Sequence, residues 1–127
     1  MQVAGYMTRQ PVTISPKDTL AAAEEKMRGR GCRRLPVVEA DVLTGIVSDR
    51  DLGPHRGHLA ETRVTAAMTE NPITVASATS MRDAVLCMLE HKIDSLPVVD
   101  GGKLVGIVTT GDVLKAFVEG SVRVSRD

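Results

Sequence analysis

Leu35-Pro36-Val37-Val38, followed by Leu43-Thr44-Gly45-Ile46-Val47-Ser48, decides the fold, because both stretches recur. Sixty-one positions later stand Leu96-Pro97-Val98-Val99 and Leu104-Val105-Gly106-Ile107-Val108-Thr109. Outward from there the register holds without a gap. Met7-Thr8 meets Met68-Thr69, Pro11-Val12-Thr13-Ile14 meets Pro72-Ile73-Thr74-Val75, and Asp51 meets Asp112. A solenoid needs three or more stacked repeats, so two copies imply a pair packed about a pseudo-twofold axis. The repeat divides the chain into residues 1–62, one motif with its linker, and residues 63–127, the second motif with a tail.

Each copy carries the same pattern of elements. Val12-Thr13-Ile14 and Ile73-Thr74-Val75 are short, β-branched and follow a proline, which predicts a strand. Helical spacing follows. Leu20, Ala23 and Met27 share a face between about Thr19 and Arg28, capped by Asp18 or Thr19. Met81, Ala84, Val85 and Met88 share one between about Ser80 and His91. Gly29 and Gly31 predict the end of the first helix; the second lacks such glycines and is expected to run further. The two quoted stretches then pair as a hairpin, through Glu39-Ala40-Asp41 in the first copy and Asp100-Gly101-Gly102 in the second. Ser48 and Thr109 stand where a further helix begins. The expected fold is α/β (α+β): a duplicated β-α-β-β-α motif with two small sheets. A half of about 60 residues is marginal alone.

Composition narrows the function classes. The 127 residues carry 16 basic and 16 acidic side chains, so the net charge is zero. That argues against gripping a nucleic-acid backbone. Tyr6 and Phe117 are the only aromatics, so a stacking platform for single strands is missing too. Cys32 and Cys87 form no CxxC pattern, which argues against structural zinc and fits a reducing cytoplasm. No apolar run approaches the ~18 residues of a membrane span, and the opening residues lack a secretory signal layout. A soluble cytoplasmic protein without membrane or nucleic-acid partners is expected. His55 and His58 lie in the Gly/Pro-rich linker without acidic or thiol neighbours in sequence, so no metal site is assigned. Nothing suggests nucleophilic catalysis or a phosphate-cradling glycine loop, and the expectation is that the chain is not an enzyme.

The doubled pattern P-h-T-h, then h-P-V-V-[ED], then G-I-V-[ST]-x-x-D (h, apolar) resembles the CBS (cystathionine β-synthase) domain family over about residues 4–118. The chain looks like a tandem CBS pair, or Bateman module. The resemblance implies adenosine-type ligands in two clefts between the motifs, AMP, ADP, ATP or S-adenosylmethionine, as regulatory molecules and not required cofactors. It also implies a disc-like homodimer and a regulated protein that the sequence does not name. In such a module Ser48 and Thr109 hold a phosphate at a helix start, where free N–H groups and the helix dipole favour anions. Asp51 and Asp112 accept hydrogen bonds from ribose hydroxyls. Arg33 and Arg34, just before the second strand, reach the phosphates, for which an arginine fork is well shaped. The backbone around Thr13 and Thr74 reads the base edge, with Ile14 and Val75, and Val37 and Val98, as candidates to sandwich the ring.

Each of these has a plainer reading. S/T-x-x-D is close to a capping box, which stabilises a helix start by ~1 kcal/mol with no ligand. Arg33 and Arg34 also read as solvated residues at a turn, Arg50 as one half of an exposed pair with Asp51, and the aliphatics as core. Asp94 and Ser95 occupy the positions of Arg33 and Arg34 in the second copy, so unequal sites are expected. The alternative function is a protein–protein interaction and dimerisation module with no physiological nucleotide.

Overall fold

The computed structural model describes residues 1–126, with side chains to residue 120. It contains two three-stranded antiparallel sheets and three α-helices. The strands are β1 (Thr8–Arg9), β2 (Arg34–Glu39), β3 (Val42–Ser48), β4 (Thr69–Glu70), β5 (Ser95–Asp100) and β6 (Lys103–Thr109). The helices are α1 (Leu20–Arg30), α2 (Met81–His91) and α3 (Thr110–Arg126). The expected mixed α/β architecture with two small sheets is what forms.

Both hairpins form where expected. Glu39 pairs with Val42 and Asp100 with Lys103, leaving two-residue turns. Such turns need positive φ at both positions to match strand twist. Gly101 and Gly102 take φ of 55° and 80° at little steric cost, whereas Ala40 and Asp41 are forced to 51° and 66°. Each hairpin also slips register by one residue, between Val37 and Val38 and between Val98 and Val99. In the first, Thr44 is the extra residue, and its hydroxyl donates to the Val37 carbonyl at 3.2 Å.

The expected first strands shrink to single parallel bridges, Ile14 with Val37 and Val75 with Val98. Prolines at 11, 16 and 72 remove backbone donors around them. The third strand of each sheet comes instead from the opening residues of the other copy. Thr8 and Arg9 pair with Ile107 and Gly106, and Thr69 and Glu70 pair with Ile46 and Gly45. The compact units are accordingly Met1–Gln10 with Ile73–Asp127, and Pro11–Pro72, offset from the repeat boundary at residue 62.

Glycine makes this exchange possible. A Cβ on Gly45 would stand 2.7 Å from both the Met68 sulfur and the Thr69 carbonyl oxygen. On Gly106 it would stand 2.6 Å from the Met7 sulfur and 2.9 Å from the Thr8 carbonyl oxygen. Each distance is well inside van der Waals contact, so only glycine lets the incoming strand approach.

The cores follow the apolar periodicity. In the unit Pro11–Pro72, Leu20, Ala23 and Met27 of α1 pack with Ile14, Leu35, Val37, Val47, Leu52 and Val64. In the other, Met81, Ala84 and Met88 of α2 pack with Val3, Met7, Leu96, Val98, Val108 and Ala116. Thr19 caps α1 by accepting from the Ala22 N–H at 3.1 Å, and Ser80 caps α2 by accepting from the Asp83 N–H at 3.0 Å. Gly31, at φ 63°, ends α1, and Gly29 lies inside it. The second helix does not run further: both span 11 residues, because Lys92 itself takes φ 55° and closes α2 without a glycine. The last helices differ. After β6, α3 continues for 17 residues. After β3, the chain forms 3-10 turns over Asp49–Glu61, broken at His58 (φ −152°, ψ 42°). Pro54 lacks the N–H and the clearance that an α-helix needs.

Two stability changes of opposite sign follow. Gly45→Ala is expected to lower the urea-unfolding free energy by about 1–3 kcal/mol, since backbone and sulfur must shift. Ala40→Gly is expected to raise it by about 0.5 kcal/mol, the relief of a left-handed alanine partly offset by glycine's unfolded-state entropy.

Candidate functional site

The antiparallel register of β2 and β3 sets Arg34 opposite Ser48, so one end of this hairpin gathers the sequence candidates. The Asp49 N–H donates to the Arg33 carbonyl at 2.9 Å, holding the chain tight as it leaves β3. The Arg33 guanidinium lies 3.4 Å from the Asp49 carboxylate, with both side chains substantially exposed. Ser48 makes two bonds to one oxygen of Asp51: its N–H donates at 2.8 Å and its hydroxyl at 3.1 Å. The carboxylate thus caps the turn from inside the chain, while its Oδ1 takes no hydrogen bond among the described residues. Arg33, Arg34, Ser48 and Asp51 are all brought together. Arg50 is exposed and forms no ion pair among the described residues.

The second hairpin repeats the arrangement with different chemistry. Ser95 stands opposite Thr109, and the Thr110 N–H donates to the Asp94 carbonyl at 3.0 Å. The Thr109 N–H and hydroxyl donate to Asp112 Oδ2 at 2.8 and 3.3 Å. The hydroxyl and carboxylate are kept, but Asp94 stands where Arg33 does. An acidic side chain repels a phosphate, so the two ends are electrostatically unequal.

Thr13, Ile14, Thr74 and Val75 lie further along the same hairpins. Ile14 donates to the Pro36 carbonyl at 3.1 Å and accepts from the Val38 N–H at 2.9 Å; Val75 does the same with Pro97 and Val99 at 3.1 and 2.9 Å. The Ile14, Val37 and Val98 side chains are spent in the cores, at 2%, 0% and 0% exposure. Val75 is half-buried against the second core, Thr13 is half-buried as well, and Thr74 is exposed. The Thr13 carbonyl accepts from the Lys26 ammonium at 2.8 Å.

Lys26 and Asp49 were not singled out by sequence. Lys26 reads there as one more charge on a helix face, with its counterpart Cys87 carrying no charge. Asp49 sits inside Ser48-Asp49-Arg50-Asp51, where its neighbour drew the attention. Among the described residues no group of three or more His, Cys, Asp or Glu is placed to hold a metal. His55 and His58 contact each other edge to face, with ring centres 5.6 Å apart.

The family model for the CBS domain matches residues 3–52 and 64–119. The chain belongs to the CBS domain family. A CBS domain-containing protein of Bacillus subtilis, YhcV, is 36% identical over 114 residues, covering 87% of this chain and 81% of YhcV. The crystal structure of the AcuB protein of Vibrio cholerae superposes with a TM-score of 0.89 at 31% identity, over 100% of this chain and 97% of that one. CBSX2 of Arabidopsis thaliana, solved in complex with AMP, gives a TM-score of 0.85 at 32% identity over 94% of this chain and 98% of its own. The inosine-5'-monophosphate dehydrogenase of Korarchaeum cryptofilum is 37% identical over 109 residues, 85% of this chain but only 22% of that enzyme. Likeness to that enzyme is therefore confined to a minor part of its length.

A carboxylate cap closes the end of each hairpin. Asp51→Ala and Asp112→Ala are each expected to cost about 1 kcal/mol of stability, read by urea unfolding monitored by circular dichroism.

Proposed function

We propose that this CBS pair is a non-catalytic regulatory module that senses an adenosine nucleotide, with the Arg33 end of the first hairpin as the stronger phosphate site. The observation that carries this reading is AMP bound to CBSX2, a relative similar over nearly the whole of both chains. The local chemistry supports it. Arg33 and Arg34 supply cationic forks, Ser48 a hydroxyl, and Asp51 a spare oxygen for ribose. From Arg34 to Val37, where Ile14 bridges, is three strand residues, or about 10 Å. That suits a nucleoside monophosphate lying between the Thr13 backbone and Ser48. The Asp94 end of the second hairpin, through Thr74, Val75, Thr109 and Asp112, takes a neutral adenosine compound more readily than a phosphorylated one. S-adenosylmethionine, which has no phosphate and carries a cationic sulfonium, also suits an end that bears Asp94.

The same reading includes a homodimer in the cytoplasm, where Cys32 and Cys87 stay free thiols, and a protein partner that responds to ligand occupancy. No helix among the described residues is long and apolar enough to cross a membrane. The alternative, an interaction module with no physiological nucleotide, is favoured by one observation: Asp51 and Asp112 are already engaged as caps.

A thermal-shift panel of AMP, ADP, ATP and S-adenosylmethionine separates the two. A ligand of this size at ~0.3 kcal/mol per heavy atom has a Kd on the order of 10 μM. At 100 times Kd it adds about 2.7 kcal/mol of stability, and Arg33→Ala is expected to abolish the AMP response while leaving the unliganded melting temperature nearly unchanged. No shift with any of the four at millimolar concentration, in nucleotide-free protein, leaves the interaction module standing.

A further inference from the structure

We infer that Lys26 sets the base selectivity of the first site, admitting a 6-oxopurine nucleotide beside the 6-aminopurine AMP. This rests on the nucleotide reading above and adds which base edge the site accepts.

The observation lies beside the bridge at Ile14. Ile14 spends both backbone groups on β2, donating to the Pro36 carbonyl at 3.1 Å and accepting from the Val38 N–H at 2.9 Å. The Thr13 carbonyl turns instead to α1, where the Lys26 ammonium donates to it at 2.8 Å. With a nucleotide lying between the Thr13 backbone and Ser48, this carbonyl meets position 6 of the purine. A bare carbonyl is an acceptor. It pairs with the amino group of adenine and repels the oxo group of hypoxanthine or guanine. An ammonium carries three donors and no acceptor. With one N–H spent on Thr13, two remain, and the edge presents donors where it would have presented an acceptor. Those donors suit O6 and N7 of a 6-oxopurine, which are both acceptors. Lys26 is exposed, so its tail can swing into solvent. Adenine then meets the carbonyl itself, at the cost of one charge-assisted bond.

The second copy differs at this position. Sixty-one residues on, Cys87 stands where Lys26 does and Thr74 where Thr13 does. The Cys87 thiol lies 3.8 Å from Nδ1 of His91 on its own helix, and among the described residues no ammonium reaches the Thr74 carbonyl. That edge keeps its acceptor and favours an amino group. The unequal phosphate ends, Arg33 in one copy and Asp94 in the other, are accompanied by unequal base edges.

Calorimetric titration of the nucleotide-free full chain with AMP and IMP tests this, because the two probes share ribose and phosphate and differ at the base edge. The first site is the one whose binding Arg33→Ala removes. The native chain is expected to bind AMP and IMP there within about 3-fold of each other, since the two bonding schemes are similar in net worth. Lys26→Met keeps a good helix former at an exposed position, so the melting temperature of the unliganded chain is expected to hold. Its Kd ratio is expected to swing about 10-fold toward AMP, which tightens while IMP weakens. A lysine that only attracts phosphate gives a different result: its loss weakens both nucleotides alike and leaves the ratio unchanged. That result, or a native preference for AMP above about 10-fold, overturns the role of Lys26 and leaves the nucleotide reading intact. Binding of neither nucleotide, by the native chain and by Lys26→Met alike, overturns the nucleotide reading and this inference with it.

Discussion

Everything in the two sheets depends on a clearance: the strand of the other copy must pass where a methyl group would be. Gly45 and Gly106 sit at the middle of β3 and β6, and the Met-Thr pair that opens the other copy crosses each at contact distance. A two-stranded hairpin is marginal by itself. Adding the third strand covers the free edge of β3 or β6 with backbone hydrogen bonds. It also carries Met7 and Val3 into one core and brings Val64 into the other. The small residue in Gly-Ile-Val therefore serves the sheet before it serves any ligand.

That role explains what sequence did and did not reveal. The hairpins were legible because Leu-Pro-Val-Val and Gly-Ile-Val are β-branched runs separated by short turns, a local signal. The helix faces were legible because Leu20, Ala23 and Met27, like Met81, Ala84 and Met88, fall at helical spacing behind Thr19 and Ser80 caps. The exchanged strands were not, since Thr8-Arg9 and Thr69-Glu70 are two polar residues each, and their partners are far away in sequence. Nor was the closure of α2 by Lys92, because a left-handed lysine leaves no compositional mark. At the site, Arg33, Arg34, Ser48 and Asp51 were gathered by the family resemblance, and the hairpin register sets Arg34 opposite Ser48. Lys26 reaches Thr13 across 13 residues of chain, and no spacing rule announces that contact.

Duplication has left one scaffold with two chemistries. The hydroxyl–carboxylate cap recurs at both hairpin ends with nearly the same geometry, as expected of a feature that stabilises the chain before any ligand arrives. The residues around it have diverged. Arg33 and Asp49 form an exposed ion pair where the second copy has Asp94 and Thr110. Such an exposed pair is weak, so its arginine can be recruited by a better anion at small cost. Copy one carries Arg33, Arg34 and Asp49 at its hairpin end, where copy two carries Asp94, Ser95 and Thr110.

The exchange of strands also sets an order of events during synthesis. The unit Pro11–Pro72 is continuous and can close as soon as its last residues leave the ribosome. In the other unit Val3 and Ala4 donate to the Thr79 and Ser77 carbonyls, but Thr8 and Arg9 must wait, unpaired, until β6 has been translated. Long-range closure of this kind slows folding. The waiting segment is short and polar at its pairing positions, which keeps the nascent chain from offering a sticky edge during the delay.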